Sequence, residues 1–187
     1  MKSLVSKRDG LMRQRREKGL TLIEASMVLA LSAVVVAGVM LYYQSASDNN
    51  RLQGALGELG SIQTAVQTLY AGQSDYTGLA TKGLIGNSSI PPSMQDVANN
   101  KLTNPWNAEV KVDVVAATPT QYTVEFDGVP AGGCVPFASQ QLGSQMVSVK
   151  VNSTDAPTAG QPFTPDGAQT ACDVTTSAGN KIIWTLK

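Results

Sequence analysis

The chain has 187 residues, with 14 Lys+Arg against 14 Asp+Glu and no histidine, the size of one ordinary domain. Without histidine it lacks the usual general base for serine or cysteine catalysis and the commonest nitrogen ligand for metals. Beyond residue 18 the basic residues form neither a cluster nor a stripe interleaved with aromatics, so no face is built to bind phosphate and nucleic acid is not an expected partner.

The balanced charge is an average over two unlike parts. Residues 1–18 carry Lys2, Lys7, Arg8, Arg13, Arg15, Arg16 and Lys18 against Asp9 and Glu17, a net charge of +5, so the remainder carries −5. An apolar run follows over 20–43, interrupted by the single charge of Glu24, and the 23 residues 25–47 carry no charge at all. At about 1.5 Å per residue, ~20 apolar residues cross a hydrocarbon core of ~30 Å. The basic flank lies on the N-terminal side, so the positive-inside rule keeps it in the cytoplasm and sends the chain after Asp48 across the membrane. A secretory signal would place its cleavage site after the apolar stretch, where only Ser45-Ala46-Ser47 offers small residues. An uncleaved signal anchor fits the same composition.

The heptapeptide Lys18-Gly19-Leu20-Thr21-Leu22-Ile23-Glu24 separates these readings, because it resembles the class III signal of type IV prepilins. The resemblance implies that a prepilin peptidase cuts after Gly19 on the cytoplasmic face and methylates the new N-terminal amine of Leu20. It makes Glu24 the fifth mature residue, the one that meets the amine of a neighbouring subunit during assembly. A carboxylate in a spanning segment costs several kcal/mol unless it is paired, which agrees with such a role. A position near the interface, hydrated and favoured by the helix dipole, explains Glu24 equally well.

Beyond the membrane, Leu52, Leu56, Leu59, Ile62, Val66 and Leu69 recur at helical spacing, with Asp48, Arg51, Gln53, Glu58, Gln63 and Gln67 on the other side. One helix is therefore predicted over 20–71, stopped at Gly72. Gly54, Gly57 and Gly60 either weaken its second half, by roughly 1 kcal/mol each, or give it a face for close packing. Residues 73–105 read as a connecting loop with one short helix near 93–99. Val110, Val112 and Val114 alternate with Glu109, Lys111 and Asp113, and Tyr122, Val124 and Phe126 alternate with Gln121, Thr123 and Glu125, as half-buried strands do. Asp127-Gly128 supplies a turn, further strands are predicted at 145–151 and 181–186, and 152–179 reads as surface loop.

Cys134 and Cys172 fall in the extracytoplasmic part, where a pair is expected to be bridged. With no histidine and no ligand spacing, a metal site and a catalytic cysteine are both poor readings, and no cofactor is expected. Glu125 and Asp127 are compatible in principle with acid/base chemistry, or they form the solvated side of a strand and its turn.

The long leader, the first mature residue other than Phe and the C-terminal cysteine pair resemble the type IVb subclass. Residues 20–24, 27–31, 37–40 and 42–48 are similar to a member of that subclass, as are Leu69-Tyr70, Gly72-Gln73 and Thr103-Asn104-Pro105. The expected architecture is α+β, the type IV pilin fold: a long N-terminal helix on a mainly antiparallel β-sheet with a disulfide-bonded C-terminal region. The expected division is a leader over 1–19, a transmembrane and polymerisation segment over 20–47, and an extracytoplasmic globular domain over 48–187. The resemblance implies a major structural subunit that passes from the inner membrane into an extracellular pilus, a homo-oligomeric helical filament. It also implies a prepilin peptidase, a platform protein, an assembly ATPase and, in a diderm envelope, a secretin. Adhesion, autoaggregation and conjugative contact remain open as uses. The alternatives are a minor pilin, a secretion-system pseudopilin, or a signal-anchored binding protein that never polymerises.

Overall fold

The computed structural model describes residues 21–173 and 178–187. Helix α1 (Leu22–Leu69, 48 residues) opens the fold, and the chain divides into two compact units between Tyr42 and Tyr43. In the first unit the large apolar side chains described along α1 are exposed, Leu22 to 90%, Leu29 to 70% and Val34 to 72%, and the helix is long and apolar enough to cross a membrane.

The second unit, Tyr43–Lys187, is built on a seven-stranded antiparallel sheet: β1 (Gln95–Asp96), β2 (Lys101–Thr103), β3 (Glu109–Val114), β4 (Tyr122–Val129), β5 (Met146–Val151), β6 (Thr154–Asp155) and β7 (Asn180–Leu186). Their spatial order is β1-β2-β3-β4-β7-β5-β6, so the C-terminal strand inserts between β4 and β5. Register follows the alternation in the sequence. Val110 faces Phe126 and Val112 faces Val124 across β3 and β4, while Val124 and Phe126 face Trp184 and Ile182 across β4 and β7. These six side chains are buried and share one core with Leu52, Ala55, Leu59, Ile62, Ala65 and Val66 of α1. Burying a large apolar side chain contributes about 1.5–3 kcal/mol, so the helix seam is a principal source of the domain's stability.

The opposite face of the sheet carries the alternate residues. Lys111 Nζ lies 3.5 Å from both Glu125 and Asp127, Lys181 Nζ lies 2.6 Å from Glu125 and 3.2 Å from Asp127, and Lys101 pairs with Glu109 at 3.4 Å. Glu125 and Asp127 thus serve as acceptors in a surface ion-pair lattice, each pair contributing at most about 1 kcal/mol.

Strand β4 runs through the turn expected at Asp127-Gly128, the segments 93–99 and 152–179 also depart from expectation, and one further helix was not predicted. In place of a helix over 93–99, a 3-10 turn at Pro92–Met94 runs directly into β1. Gln95 turns its side chain back to accept from Gly86 N–H (2.7 Å) and donate to the Ile90 carbonyl (2.8 Å), so local side-chain bonds take the place of a helical ladder. Helix α2 (Ala131–Ala138) forms despite Gly132, Gly133 and Pro136, because it buries Cys134, Phe137 and Ala138. The segment read as surface loop contains helix α3 (Pro165–Ala171), whose Thr164 cap accepts from Gly167 N–H at 3.2 Å.

Where β4 leaves its register with β7, Gly128 and Gly179 meet backbone to backbone in left-handed conformations, φ +68° and +79°. A Cβ at Gly179 would fall 2.6 Å from the carbonyl carbon of Gly128. Gly179→Ala is therefore expected to destabilise the domain by about 2–3 kcal/mol, read as a lower urea midpoint at unchanged m-value; an unchanged midpoint would show that the two backbones separate freely.

Candidate functional site

The N-terminal end of α1 carries its own cap. Thr21 donates from its backbone N–H and its hydroxyl to Glu24 Oε2, at 2.9 and 3.0 Å, and Glu24 N–H donates to Thr21 Oγ1 at 3.3 Å. This reciprocal arrangement is a capping box, which satisfies donors that the first helical turn leaves without partners. Its Thr-x-x-Glu signature is legible at residues 21–24. The charge of Glu24 alone does not disclose this structural role. Glu24 is exposed and lies at the start of the uncharged run, so its carboxylate caps its own helix at a solvent-accessible position. Gly19 and Leu20, the predicted cleavage site and methylated terminus, lie outside the described residues.

Cys134 in α2 and Cys172 at the end of α3 form a disulfide with a Cα–Cα separation of 6.0 Å. Two asparagines that sequence reasoning did not single out hold the surrounding backbone. Asn180, buried at the start of β7, accepts from Asp173 N–H at 2.7 Å and donates to the Asp173 and Val129 carbonyls. Asn152, with φ +52°, donates to the Ala171 carbonyl and to Asn180 Oδ1 at 3.1 and 2.9 Å. The disulfide and these amides together tie α2, α3 and the central strands. Among the described residues no group of His, Cys, Asp or Glu side chains could hold a metal ion.

Glu58 departs from its expected place on the solvated side of α1. Ala55 and Ala65 are fully buried and widen the packed arc beyond the leucine stripe, which half-buries Glu58 between them, while Leu69 at the helix end is 44% exposed. Its Oε2 is buried without a hydrogen-bond partner, and burial pushes the carboxyl up to about 7. A carboxylic acid held above its unfolded value makes the folded state bind more protons. Its contribution is thus best below the unfolded pKa and is lost as pH rises through about 7. Glu58→Gln is expected to raise the melting temperature of the 43–187 fragment at pH 8 and leave it little changed at pH 4.5; an equal shift at both pH values would rule out charge burial as the cause.

A long N-terminal helix, an antiparallel sheet and a disulfide-bonded C-terminal region are the architecture of type IV pilins. Two solved structures share the fold. A type IVb pilin from Salmonella typhi matches with a TM-score of 0.56 at 16% identity, over 73% of this chain and 97% of that one. TcpA, a type IV pilin from Vibrio cholerae El Tor, matches with a TM-score of 0.50 at 12% identity, over 74% and 99%. The prokaryotic N-terminal methylation motif matches residues 14–40, and the bundlin family model matches residues 44–187. The major structural subunit of the bundle-forming pilus of Escherichia coli O127:H6 is 39% identical over 190 aligned residues, covering 95% of this chain and 98% of that protein. The toxin coregulated pilin of Vibrio cholerae is 28% identical over 131 residues, 63% of this chain and 55% of that protein. The chain belongs to the bundlin family.

Proposed function

We propose that this chain is the precursor of the major structural subunit of a type IVb pilus. One observation carries the reading: the apolar half of α1 buries none of its most hydrophobic stretch within its own chain. Roughly 25 cal/mol is at stake for each Å² of such surface left in water. The surface must therefore be covered by lipid before assembly and by other copies of the same helix afterwards. Filament cohesion follows from that burial, and the role is structural, not enzymatic.

In this reading a prepilin peptidase cuts after Gly19 and methylates Leu20, and the precursor waits in the inner membrane. A platform protein and an assembly ATPase then pass it into an extracellular pilus. Glu24 docks against the amine of Leu20 in an adjacent copy, and the globular domain forms the pilus surface. The family membership, the methylation motif and the similarity to a bundle-forming pilus subunit support this sequence of events.

Mass spectrometry of protein sheared from the surface of the native cell tests it. The expected N-terminal peptide begins at Leu20 and carries one additional methyl group. A chain that still begins at Met1, or is cut beyond Tyr43, would make this protein a membrane anchor or an ordinary exported domain.

A further inference from the structure

Among the described residues of the second half of α1, Asp48, Arg51 and Glu58 take part in no ion pair, and Glu58 alone of the three is half-buried. Glu58 is half-buried, its Oε2 has no partner, and no Lys or Arg lies within ion-pair distance among the described residues. Arg51 is exposed and takes part in none of the ion pairs that engage Lys101, Lys111, Lys150 and Lys181. It is also the one arginine in the sequence after residue 16. The two residues stand seven positions apart on α1, two turns, and so lie on the same stripe.

We propose that Arg51 of one subunit pairs with Glu58 of a neighbouring copy, fixing the axial stagger between adjacent α1 helices in the filament. This rests on the filament reading above. Seven residues at about 1.5 Å each set that stagger at ~10.5 Å for parallel helices. The charges are complementary, and the helix surface next to Glu58 is open although its Oε2 is turned inward. Gly57 has no neighbouring atom within 4 Å of where a side chain would begin, and Ser61 bonds back to the Gly57 carbonyl at 2.9 Å. A guanidinium can therefore approach over a floor of small residues, with its donors matched to carboxylate oxygens. Among the described residues, Lys82 and Lys187 are the other cations outside the ion pairs. Neither is on α1, so a shift along parallel helices does not bring them to Glu58. The cost of desolvating Glu58, which raises its carboxyl to about 7 in the single chain, is offset when the cation arrives, so the subunit carries an anion that is satisfied only by assembly. Because residue 51 of one copy meets residue 58 of the next, the contact is heterologous and propagates along a filament without closing into a dimer.

The test is cross-linking in the native cell with the full chain. Arg51→Cys and Glu58→Cys are introduced together, pili are sheared and oxidised, and the protein is run without reducing agent. A ladder of dimers, trimers and higher species is expected from the double variant and not from either single variant. Arg51→Glu is expected to lower the yield of sheared pili at least tenfold, with recovery in Arg51→Glu/Glu58→Lys. Absence of a ladder from pili of the double variant, or an equal ladder from one single variant, overturns the pairing. In that case wild-type filaments beginning at Leu20 leave the filament reading intact; a wild-type cell with no filaments removes both.

Discussion

Cys134→Ser is expected to cost the globular domain about 4 kcal/mol. The bridge closes a loop with a sequence separation of 38, and the chain-entropy model assigns about 4 kcal/mol to a closed loop of that size. Domains of this length are stable by only about 5–15 kcal/mol, so the loss is a large fraction of the total. For a domain near 150 residues it corresponds to a fall in melting temperature of roughly 10 °C. Both cysteines are buried, Cys134 to 0% and Cys172 to 5% exposure, so the variant also sets a hydroxyl and a free thiol in an apolar site. The measurement is thermal unfolding of the 43–187 fragment, paired with thiol labelling after denaturation. Cys134→Ser and Cys172→Ser should cost nearly the same, and the double variant little more than either, because one cross-link is lost in every case. A melting temperature unchanged in all three would mean that the Asn152 and Asn180 amides hold the region without the bridge.

The parts of the fold that were legible share one property: they repeat. The strand alternation at Val110–Val112 and Tyr122–Val124–Phe126 is a period-two signal on a half-buried sheet, and the registers follow it. The uncharged run 25–47 needs only length and composition to be read. What escaped was short or depended on tertiary partners. Helix α2 contains two glycines and a proline, and its local propensity argues against it; burial of Phe137 against Phe126 and Trp184, with ring centroids 5.1 and 5.9 Å away, overrides that propensity. Helix α3 has seven residues, too few for a periodic signal, although Thr164-Pro165-Asp166 spells a helix start. Glu58 was misplaced because a leucine stripe defines the middle of a packed face and not its width. At the candidate site, cysteine pairing was legible from compartment alone, whereas the capping role of Glu24 was written in the sequence and obscured by the attention given to its charge.

The cap observed at Glu24 and the docking role proposed for its charge make the Glu24 series the sharpest test of assembly, because its variants separate the two. Gly19→Lys is the reference: it should leave the precursor uncut and abolish pili, since no free amine at Leu20 is generated. Glu24→Gln keeps a side chain able to fill the third position of a capping box and removes the negative charge. Thr21→Ala does the reverse, losing about 1 kcal/mol of capping while leaving the carboxylate in place. Opposite charges ~4 Å apart attract by about 4 kcal/mol at an effective dielectric near 20, before desolvation, several times the capping contribution. If docking to the Leu20 amine drives assembly, Glu24→Gln should be cut and methylated normally yet yield few or no filaments, as should Glu24→Val, while Thr21→Ala still assembles. Filaments from Glu24→Gln at the wild-type level, with loss in Thr21→Ala, would instead make Glu24 a helix cap and leave the apolar surface of α1 to set the register unaided. The cap also holds the carboxylate in place before any partner arrives, because two of the hydrogen bonds from Thr21 end on the same Oε2. The entropy of orienting that side chain is then already spent within the monomer, so an amine docking there as proposed would meet a fixed acceptor.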